Sequence, residues 1–346
     1  MKNWLLKSFA APRPELAKGE NGTSTGSVRT GMGGAEVLLK RLEWTTIRRL
    51  DGVLQGDYRT LFRGSGLDFA DLREYESHDD VRHIDWNVTA RTGTPHVRVF
   101  TEDREMAAWF VMDLSASVDF GSGERRKRDV ANELVVTLAR LLTGHGNRVG
   151  ALLYGGGDHD AKNKRLDKML PAGSGRRHVL QLAHELLAHR AKVGKQETQL
   201  AHVLDAAGHV IKRRSTVFVI SDFFSSPGWS EPLQQLARRH DVVAVRLTDP
   251  LELKLPDMGL ITLRDAETGE TQLVDCNPSF RQRFEELSAQ KETQLRESLA
   301  DAQVDTLELS TTDDVADALI RFAALRRRKS RRFNTPNLNA IQRKVA

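Results

Sequence analysis

Continuous apolar runs along the chain predict the strands of a buried sheet. Residues 107–112 read AAWFVM and residues 216–220 read TVFVI, and neither run contains a charged residue. Runs of this length without polar alternation are typical of strands that are covered on both faces, as in parallel sheets. Comparable strand patterns are predicted at Arg148–Tyr154, Val242–Leu247 and Asp305–Leu309.

Helical patterns alternate with these strands. In the segment Arg125–Thr143, the apolar residues Val130, Leu134 and Leu138 recur at a helical spacing, and the pattern stops near Gly144. Strands and helices that alternate at this interval indicate βαβ units, so the sequence predicts an α/β fold with a mainly parallel sheet. The other predicted helices run from the turn Gly173–Arg177 through Leu187, and over Gln199–Arg213, Pro232–His240, Phe280–Leu299 and Asp313–Leu325.

Shorter patterns predict additions to this sheet. Arg165–Leu170 follows a glycine-rich turn, and we expect it to run antiparallel to the preceding strand at an edge of the sheet. Gly259–Cys276 contains two short β patterns on either side of residues 267–269. This segment is predicted to be a hairpin insertion.

The region before residue 105 is less regular. Ala35–Leu50 has apolar residues between charged ones, which is consistent with an amphipathic packing helix; these residues are Val37, Leu38, Leu42 and Trp44. Residues 57–101 mix turn signals with short β-like runs, and residues 19–34 are rich in Gly, Ser and Thr. The predicted organisation is a disordered leader at 1–34, an N-terminal helix and β-rich segment at 35–104, an α/β domain at 105–325 with the hairpin near 259–276, and a basic tail at 326–346.

Composition favours a soluble protein with a globular core, because 39% of the 346 residues are hydrophobic. No stretch approaches the roughly 18 consecutive apolar residues that a membrane span needs. The apolar pieces near the amino terminus, WLL and FAAP, are too short for a signal peptide. Cys276 is the only cysteine, which excludes an internal disulfide framework. We therefore expect a cytoplasmic protein.

The net charge of +5 is concentrated at the carboxyl-terminal end of the chain. Nine of the 52 basic residues lie between Arg321 and Ala346, where there is no acidic residue, so the remaining 43 face 47 acidic residues. The run RRRKSRR at Arg326–Arg332 could neutralise the phosphates of a nucleic acid or an anionic surface. A solvated charged end is the alternative interpretation.

Polar side chains follow the first apolar run at the point where the strand is predicted to end. Asp113, Ser115 and Ser117 form an Asp-x-Ser-x-Ser motif there. The carboxyl ends of strands are where open α/β sheets bind ligands, and an all-oxygen donor set suits a hard cation such as Mg²⁺. The alternative is a polar loop that caps the following helix, since Asp and Ser are common turn and N-cap residues.

Two later residues continue the pattern. Thr198 precedes a helical segment, and Asp222 ends the second apolar run. In this order, the motif, Thr198 and Asp222 resemble the metal-ion-dependent adhesion site of von Willebrand factor A domains, which are doubly wound α/β units. The resemblance implies a Mg²⁺ or Mn²⁺ ion that is completed by an acidic side chain of a partner protein. Thr216 and Ser221 are alternatives to Thr198 as the hydroxyl ligand from this part of the chain.

A block further upstream carries a second resemblance. Gly64–Gly93 reads GSGLDFADLREYESHDDVRHIDWNVTARTG. The block is similar to the signature of the bacterial family catalogued as domain of unknown function fifty-eight, whose members contain an A-type domain. The residues that match are Gly64, Gly66, Phe69, Leu72, Arg73, Tyr75, Asp79, Arg82, Ile84, Asp85, Trp86, Ala90 and Arg91. The resemblance covers roughly residues 36–326.

The family resemblance also implies partners. Its members typically accompany MoxR-type AAA+ ATPases in a chaperone-like system, so we expect an adaptor that binds the ATPase and a client protein with an acidic ligand. Any use of ATP is expected to belong to the partner, because the chain contains no Gly-x4-Gly-Lys-Ser/Thr motif.

The charged residues of the β-rich segment have two interpretations. They form either a salt-bridge network that locks the β-rich segment to the α/β domain or a surface that a partner recognises. His78 and His83 lie near acidic residues, but their spacing fits no strong zinc pattern. The charged residues in question are Arg73, Asp79, Asp80, Arg82, Asp85 and Arg91, and the signature or interaction candidates also include Tyr75 and Trp86.

The sequence therefore favours a non-enzymatic, metal-dependent interaction protein. A Mg²⁺-dependent hydrolase is one alternative, but the chain shows no nucleophile with an adjacent base. The Asp113 motif also lacks the second Asp of the aspartyl-phosphate Asp-x-Asp pattern. Nucleic-acid binding through the basic tail is the other alternative.

Overall fold

The computed structural model describes residues 9–10, 30–50, 71–76, 81, 84–99, 107–155, 166–189, 198–265 and 270–334. By its contacts the chain divides into two compact units. One unit comprises Met1–Arg63 with Ala107–Ala346, and the other comprises Gly64–Met106. The division places the N-terminal helix with the α/β unit, whereas the sequence analysis grouped it with the β-rich segment.

Two elements precede the β-rich unit. Strand β1 is Phe9–Ala10, and helix α1 is Thr30–Leu42, which continues into a π-helical turn at Glu43–Ile47. Both β1 and the start of α1 fall within the predicted leader, most of which lies outside the described residues.

Helix α1 is amphipathic, but it buries a different stripe from the one that the sequence suggested. Val37 and Trp44 are 69% and 71% exposed, and Arg48 lies over the Trp44 ring at 4.1 Å. The choice of Val37 and Trp44 as packing residues was therefore wrong. The buried residues of this segment recur every three or four positions, as one helical face requires, and are Ala35, Leu39, Leu42, Thr46, Ile47 and Leu50.

The β-rich unit contains three short described elements. They are strand β2 at Asp71–Glu74, helix α2 at Trp86–Thr92 and strand β3 at His96–Val99. The two strands pair antiparallel, from Asp71 opposite Val99 to Glu74 opposite His96. Helix α2 ends at Gly93, whose φ of 78° is the left-handed conformation common at helix ends.

The other unit begins its sheet with strand β4, and its described elements alternate between strand and helix for most of its length. In chain order they are β4 Ala107–Asp113, α3 Lys127–Gly144, β5 Arg148–Tyr154, β6 Lys168–Gly173, α4 Gly175–Ala188, α5 Leu200–Val210, β7 Thr216–Ser221, α6 Ser230–Arg239, β8 Asp241–Thr248, α7 Pro250–Leu253, β9 Leu260–Asp265, β10 Thr271–Asp275, α8 Pro278–Asp301, β11 Asp305–Ser310 and α9 Val315–Asn334.

The central sheet has the order β11-β8-β7-β4-β5-β6. Every pair is parallel except β5 with β6, which is the antiparallel edge that the sequence predicted. The fold is a von Willebrand factor A-like doubly wound α/β architecture with flanking helices, so the predicted fold class is confirmed. From β4 the chain builds outward on one side through β5 and β6, and then returns to place β7 on the other side.

The core lies on both faces of this sheet. Phe110 on β4 stacks on Phe218 of β7 with ring centroids 5.5 Å apart, and both are buried. Helix α3 is buried along most of its length, including Leu134 and Leu138. β7 is buried at every position, and β4 at every position except the half-buried Ala107 and Trp109, which explains why their sequences do not alternate between apolar and polar residues.

The segment at residues 259–276 forms an antiparallel hairpin of β9 and β10, and β1 pairs with the outer edge of β9. Ala10 lies opposite Arg264 and Phe9 opposite Asp265. Cys276 follows the hairpin and is buried with Leu255 and Phe284. The hairpin therefore has a small apolar cluster of its own at its base.

The carboxyl-terminal helix α9 extends past the predicted start of the tail. Arg326 is 2% exposed and forms ion pairs with Asp241 Oδ1 at 2.7 Å and Asp305 Oδ2 at 2.8 Å. Arg326 is therefore part of the packed α/β unit, because its guanidinium joins α9 to the first residues of β8 and β11. In the part of the chain that the structure describes, no helix is long and apolar enough to cross a membrane.

Candidate metal-binding site

The candidate site lies where the strand order of the central sheet reverses. Strands β4 and β7 are parallel neighbours, with Met112 opposite Ile220, and their carboxyl ends meet at the same edge. The chain leaves β4 toward β5 on one side, while β7 begins the other half of the sheet. Open α/β sheets bind ligands in the crevice that forms at such a point. Asp113 ends β4, and Asp222 follows the last residue of β7.

The Asp-x-Ser-x-Ser motif forms a tight buried loop. The Ser115 backbone N–H donates to Asp113 Oδ1 at 3.0 Å, and the hydroxyl oxygens of Ser115 and Ser117 lie 3.0 Å apart. The three side chains are at most 1% exposed. A short 3-10 turn follows at Ala116–Asp119, and no side-chain hydrogen bond from Ser115 caps it. The serine hydroxyls therefore do not serve as caps for the next helix.

Ser221 connects the two strand ends. Its hydroxyl donates to Asp113 Oδ2 at 2.7 Å and accepts the Phe223 backbone N–H at 2.9 Å. Phe223 has a φ of 59°, a left-handed conformation that is strained for an aromatic residue, and such strain concentrates at functional sites. Thr216 and Ser221 were the alternatives to Thr198 as a hydroxyl ligand. Thr216 lies at the opposite end of β7, so only Ser221 lies at this edge of the sheet.

Thr198 is buried and its backbone is tied to the loop after β7. Its carbonyl oxygen accepts from Ser225 Oγ at 2.8 Å and from the Ser226 backbone N–H at 3.0 Å. Ser225 Oγ also accepts the Leu200 N–H at the start of α5, at 2.9 Å. The structure therefore brings the loop that carries Thr198 next to the loop that carries Asp222.

Asp222 is held by a buried ion pair that the sequence analysis did not foresee. Lys127 Nζ donates to Asp222 Oδ2 at 2.7 Å and to Glu252 Oε1 at 2.6 Å, and the side chains of Lys127 and Asp222 are fully buried. The other oxygen of Asp222 accepts the Phe224 N–H at 3.0 Å. The Lys127 ammonium also lies 5.6 Å from the centre of the Phe224 ring.

The sequence contains a signal for Lys127 and another for Glu252. Lys127 precedes Val130 and Leu134 at helical spacing, so it falls on the apolar face of α3. Glu252 belongs to the capping box of α7. The Asp249 side chain accepts the backbone N–H of Glu252, and the Glu252 side chain accepts the backbone N–H of Asp249. Asp249 Oδ2 in turn accepts Ser122 N–H at 2.9 Å and Thr311 Oγ1 at 2.8 Å.

Burial and neighbouring charges shift the pKa values of Asp113 and Lys127. Burial, followed by the nearby charge of Asp222, raises the pKa of Asp113 to about 6, although hydrogen bonds from Ser221 and Ser115 act against this. Burial alone would lower the pKa of Lys127, but the carboxylates of Asp222 and Glu252 raise it above its ordinary value. Lys127 is therefore a permanent positive charge next to Asp222.

The donor set fits a hard divalent cation. Adjacent ligands of an octahedral Mg²⁺, each about 2.1 Å from the ion, are separated by about 3.0 Å. The hydroxyl oxygens of Ser115 and Ser117 have this separation. Within the described residues no group of three or more His, Cys, Asp or Glu side chains is placed to hold a metal ion. An ion here would therefore depend on hydroxyl and water ligands as well as carboxylates.

The described signature residues lie in the β-rich unit. Asp85 is buried and caps α2, because its Oδ1 accepts Asn87 N–H at 3.0 Å and Val88 N–H at 3.2 Å. Tyr75 is half-buried, while Trp86 is 70% exposed and Arg91 is exposed. The Arg73 side chain, Asp79, Arg82 and the two histidines weighed for zinc lie outside the described residues. The salt-bridge network and the partner surface therefore both stay predictions.

Comparison with known proteins gives related chains and similar folds. A family model described as "Protein of unknown function DUF58" matches residues 71–294. An uncharacterized protein of Mycobacterium tuberculosis is 37% identical over 290 residues, which cover 84% of this chain and 89% of that protein. An uncharacterized protein of Mycobacterium avium is 33% identical over 160 residues, which cover 46% of this chain and 94% of that protein. These names and the family description state no reaction.

Two solved structures were also found to be similar. A conserved hypothetical protein, BatB from Bacteroides thetaiotaomicron, matches with a TM-score of 0.41 and 14% identity, over 64% of this chain and 99% of that chain. A von Willebrand factor type A protein from Catenulispora acidiphila matches with a TM-score of 0.32 and 13% identity, over 67% of this chain and 43% of that chain.

Proposed function

Because this chain belongs to the DUF58 family and has a von Willebrand factor A-like fold, we propose that it is a protein-interaction module. Its site at the carboxyl ends of β4 and β7 binds Mg²⁺ or Mn²⁺, and through the ion an acidic side chain of a partner protein. The observation that supports this most directly is the buried all-oxygen cluster of Asp113, Ser115 and Ser117 at the reversal point of the sheet.

Each residue has a defined task in this proposal. Ser115, Ser117 and Thr198 offer neutral hydroxyl ligands, while Asp113 and Asp222 hold the ion directly or through water. A bound Mg²⁺ or Mn²⁺ supplies an open coordination position that accepts a carboxylate. Ser221 orients the Asp113 carboxylate through its 2.7 Å hydrogen bond. Because three of the five proposed ligands are neutral hydroxyls, the ligands compensate only part of the positive charge of the ion before the partner's carboxylate binds.

The partners that we propose are a MoxR-type AAA+ ATPase and a client protein that carries an exposed Asp or Glu. The family signature between Gly64 and Gly93 supports the first of these. The sequence has no Walker-type phosphate loop, so ATP hydrolysis is assigned to the partner. In this arrangement the chain acts in the cytoplasm as an adaptor, which couples the client to the motor for chaperone-like assembly or activation.

Titration calorimetry with Mg²⁺ and Mn²⁺ tests the ion site. We expect binding to the parent protein and its loss in an Asp113→Ala, Ser115→Ala double variant, because two of the proposed ligands are removed. The matched control is Asp257→Ala with Ser279→Ala, which changes the same residue types at exposed positions. Equal binding by the two double variants would contradict the site.

A pull-down with the MoxR-type ATPase tests the proposed partner separately. We expect retention of the ATPase on the immobilised parent protein in the presence of Mg²⁺, and a reduced amount after chelation with EDTA. The Asp113→Ala, Ser115→Ala variant is expected to behave as the chelated parent. Retention that is unchanged by EDTA and by the double variant would remove the metal from the interaction and leave a metal-independent adaptor.

A further inference from the structure

The site contains a fixed positive charge that no ligand role explains. Lys127 is the first residue of α3, and its side chain is fully buried with its ammonium between Asp222 and Glu252. Both acceptors are themselves anchored. Asp222 accepts a backbone N–H from Phe224, and Glu252 Oε2 accepts the Asp249 N–H at 3.1 Å. The ammonium is therefore held in one place.

Only one of the successive basic residues at 125–128 points to the site. Arg125 forms an ion pair with Glu133, and Arg126 forms one with Asp119 at 3.3 Å. Arg128 donates to the backbone oxygen of His189. The orientation of Lys127 is thus specific, and it follows from its position on the buried face of α3.

The charges around the two strand ends can be counted from these contacts. Asp222 and Glu252 share the single ammonium of Lys127, and Asp113 is the remaining carboxylate of the proposed ligand set. A divalent cation that enters this site meets the repulsion of the ammonium as well as the attraction of the carboxylates. At the low effective dielectric of a buried site, one unit of charge a few ångströms away changes an ion's affinity by a large factor.

We propose that Lys127 is an internal counter-cation that weakens the binding of a divalent ion to the isolated chain. The ammonium offsets one of the three carboxylate charges of Asp113, Asp222 and Glu252, and a partner's carboxylate supplies a further negative charge at the ion. This inference rests on the proposed function, since it concerns the ion at the same site. It further implies that the ion and an acidic partner bind with positive coupling, because each raises the affinity for the other.

The test is Mn²⁺ titration calorimetry on the full chain, with variants that change the charge but none of the proposed ligands. Lys127→Met removes the ammonium and keeps most of the side-chain volume, so we expect Mn²⁺ to bind at least about tenfold more tightly than to the parent. Glu252→Gln leaves the ammonium less compensated, so Mn²⁺ binding is expected to weaken. Lys254→Met makes the same charge change at a 74% exposed side chain and is expected to leave the affinity unchanged.

The outcomes separate this inference from the proposed function. Equal Mn²⁺ affinity of the parent and Lys127→Met overturns the counter-cation and leaves the ion site standing. An absence of Mn²⁺ binding in every variant overturns the ion site and the counter-cation together. If circular dichroism shows that Lys127→Met is unfolded, the Glu252→Gln variant provides the test. Mn²⁺ binding to Glu252→Gln that is as tight as binding to the parent, or tighter, overturns the inference.

Discussion

At the scale of single residues, the buried ammonium of Lys127 changes what is expected of the acidic residue beside it. Carboxylates that lie close together repel each other, and the removal of one of them relieves that repulsion. Asp222 lies near other carboxylates, but it also shares the Lys127 ammonium with Glu252, at contact distances of 2.7 and 2.6 Å. Without Asp222, the buried ammonium keeps Glu252 but loses one of its two charge-assisted hydrogen bonds, which is destabilising.

We therefore predict that Asp222→Asn lowers the free energy of unfolding by about 1–3 kcal/mol in the absence of metal. Urea denaturation followed by circular dichroism measures this change. The control is Asp257→Asn, which disrupts an ion pair with Arg281 at a 72% exposed carboxylate and is expected to cost less than about 1 kcal/mol. A neutral or stabilising effect of Asp222→Asn would show that Lys127 does not depend on this carboxylate.

A second buried titratable residue, His240, makes stability depend on pH. Burial, together with the charges of Arg239 and Arg214, lowers the pKa of His240. Neither ring nitrogen has a hydrogen-bond partner among the described residues. The unfolded chain thus binds a proton more readily at this residue than the folded protein does. Protonation therefore favours unfolding, and the stabilising contribution of the neutral ring is lost as the pH falls below its unfolded pKa of about 6.5.

We predict that His240→Leu reduces the loss of stability between pH 7 and pH 5. The measurement is the free energy of unfolding of parent and variant at several pH values. At pH 8 both proteins lie above the titration range, so the difference there reports packing alone and serves as the reference. Curves that stay parallel from pH 8 to pH 5 would contradict the assignment.

At the scale of elements, the pairing of β4 with β5 contains a close approach of a glycine to an aromatic ring. Gly150 pairs with Trp109, and a Cβ atom at Gly150 would lie 2.7 Å from two carbons of the indole ring. Real Cβ atoms do not come this close, so either the ring or the strand would have to move. The glycine is required here by the ring and not by its backbone conformation.

We predict that Gly150→Ala destabilises the protein by about 1–3 kcal/mol through overpacking. In a Trp109→Leu background the same substitution is expected to cost much less, because the ring is gone. A double-mutant cycle by urea denaturation measures the coupling between the two residues. Gly123→Ala, where an added Cβ meets nothing within 4 Å, is the control. Additive effects of Gly150→Ala and Trp109→Leu would exclude the ring as the cause.

Sequence periodicity predicted the strands well, because β4 and β7 are buried on both faces and read as unbroken apolar runs. It was less successful for the surface of α1. Trp44 is the largest apolar residue of that segment, yet its ring packs against the guanidinium of Arg48 at 4.1 Å and remains exposed. Which stripe of a helix is buried depends on the neighbouring elements, and short local windows do not contain that information.

The same limit applies to the candidate site. Asp113 and Asp222 could be placed from sequence because each ends a recognisable strand. Lys127 and Glu252 were missed because they are charged residues, for which exposure is the usual outcome. Their burial is decided by tertiary contacts between α3 and α7, which are more than a hundred residues apart in the sequence.

At the scale of the whole molecule, charge is divided unevenly between the packed unit and its carboxyl-terminal end. Before Arg321 the chain has 43 basic and 47 acidic residues, so the net charge of +5 comes from the last residues. One of the basic residues in this region has a structural role, because Arg326 is buried and forms ion pairs with Asp241 and Asp305. Arg327 and Arg328, in contrast, are exposed.

A chain that ends at Arg328 would lack five basic residues and have no net charge, while it keeps Arg326 and its two ion pairs. We predict that the parent protein is retained on a heparin matrix in a salt-dependent manner and that this truncated chain is not, since a polyanion is held by local positive charge. Thermal unfolding is expected to be nearly the same for both, and so is Mg²⁺-dependent retention of the ATPase. Further truncation to residue 325 removes Arg326 with its two ion pairs and is expected to lower the unfolding temperature. If the chain that ends at Arg328 loses the ATPase along with heparin, the basic end is itself part of the partner interface.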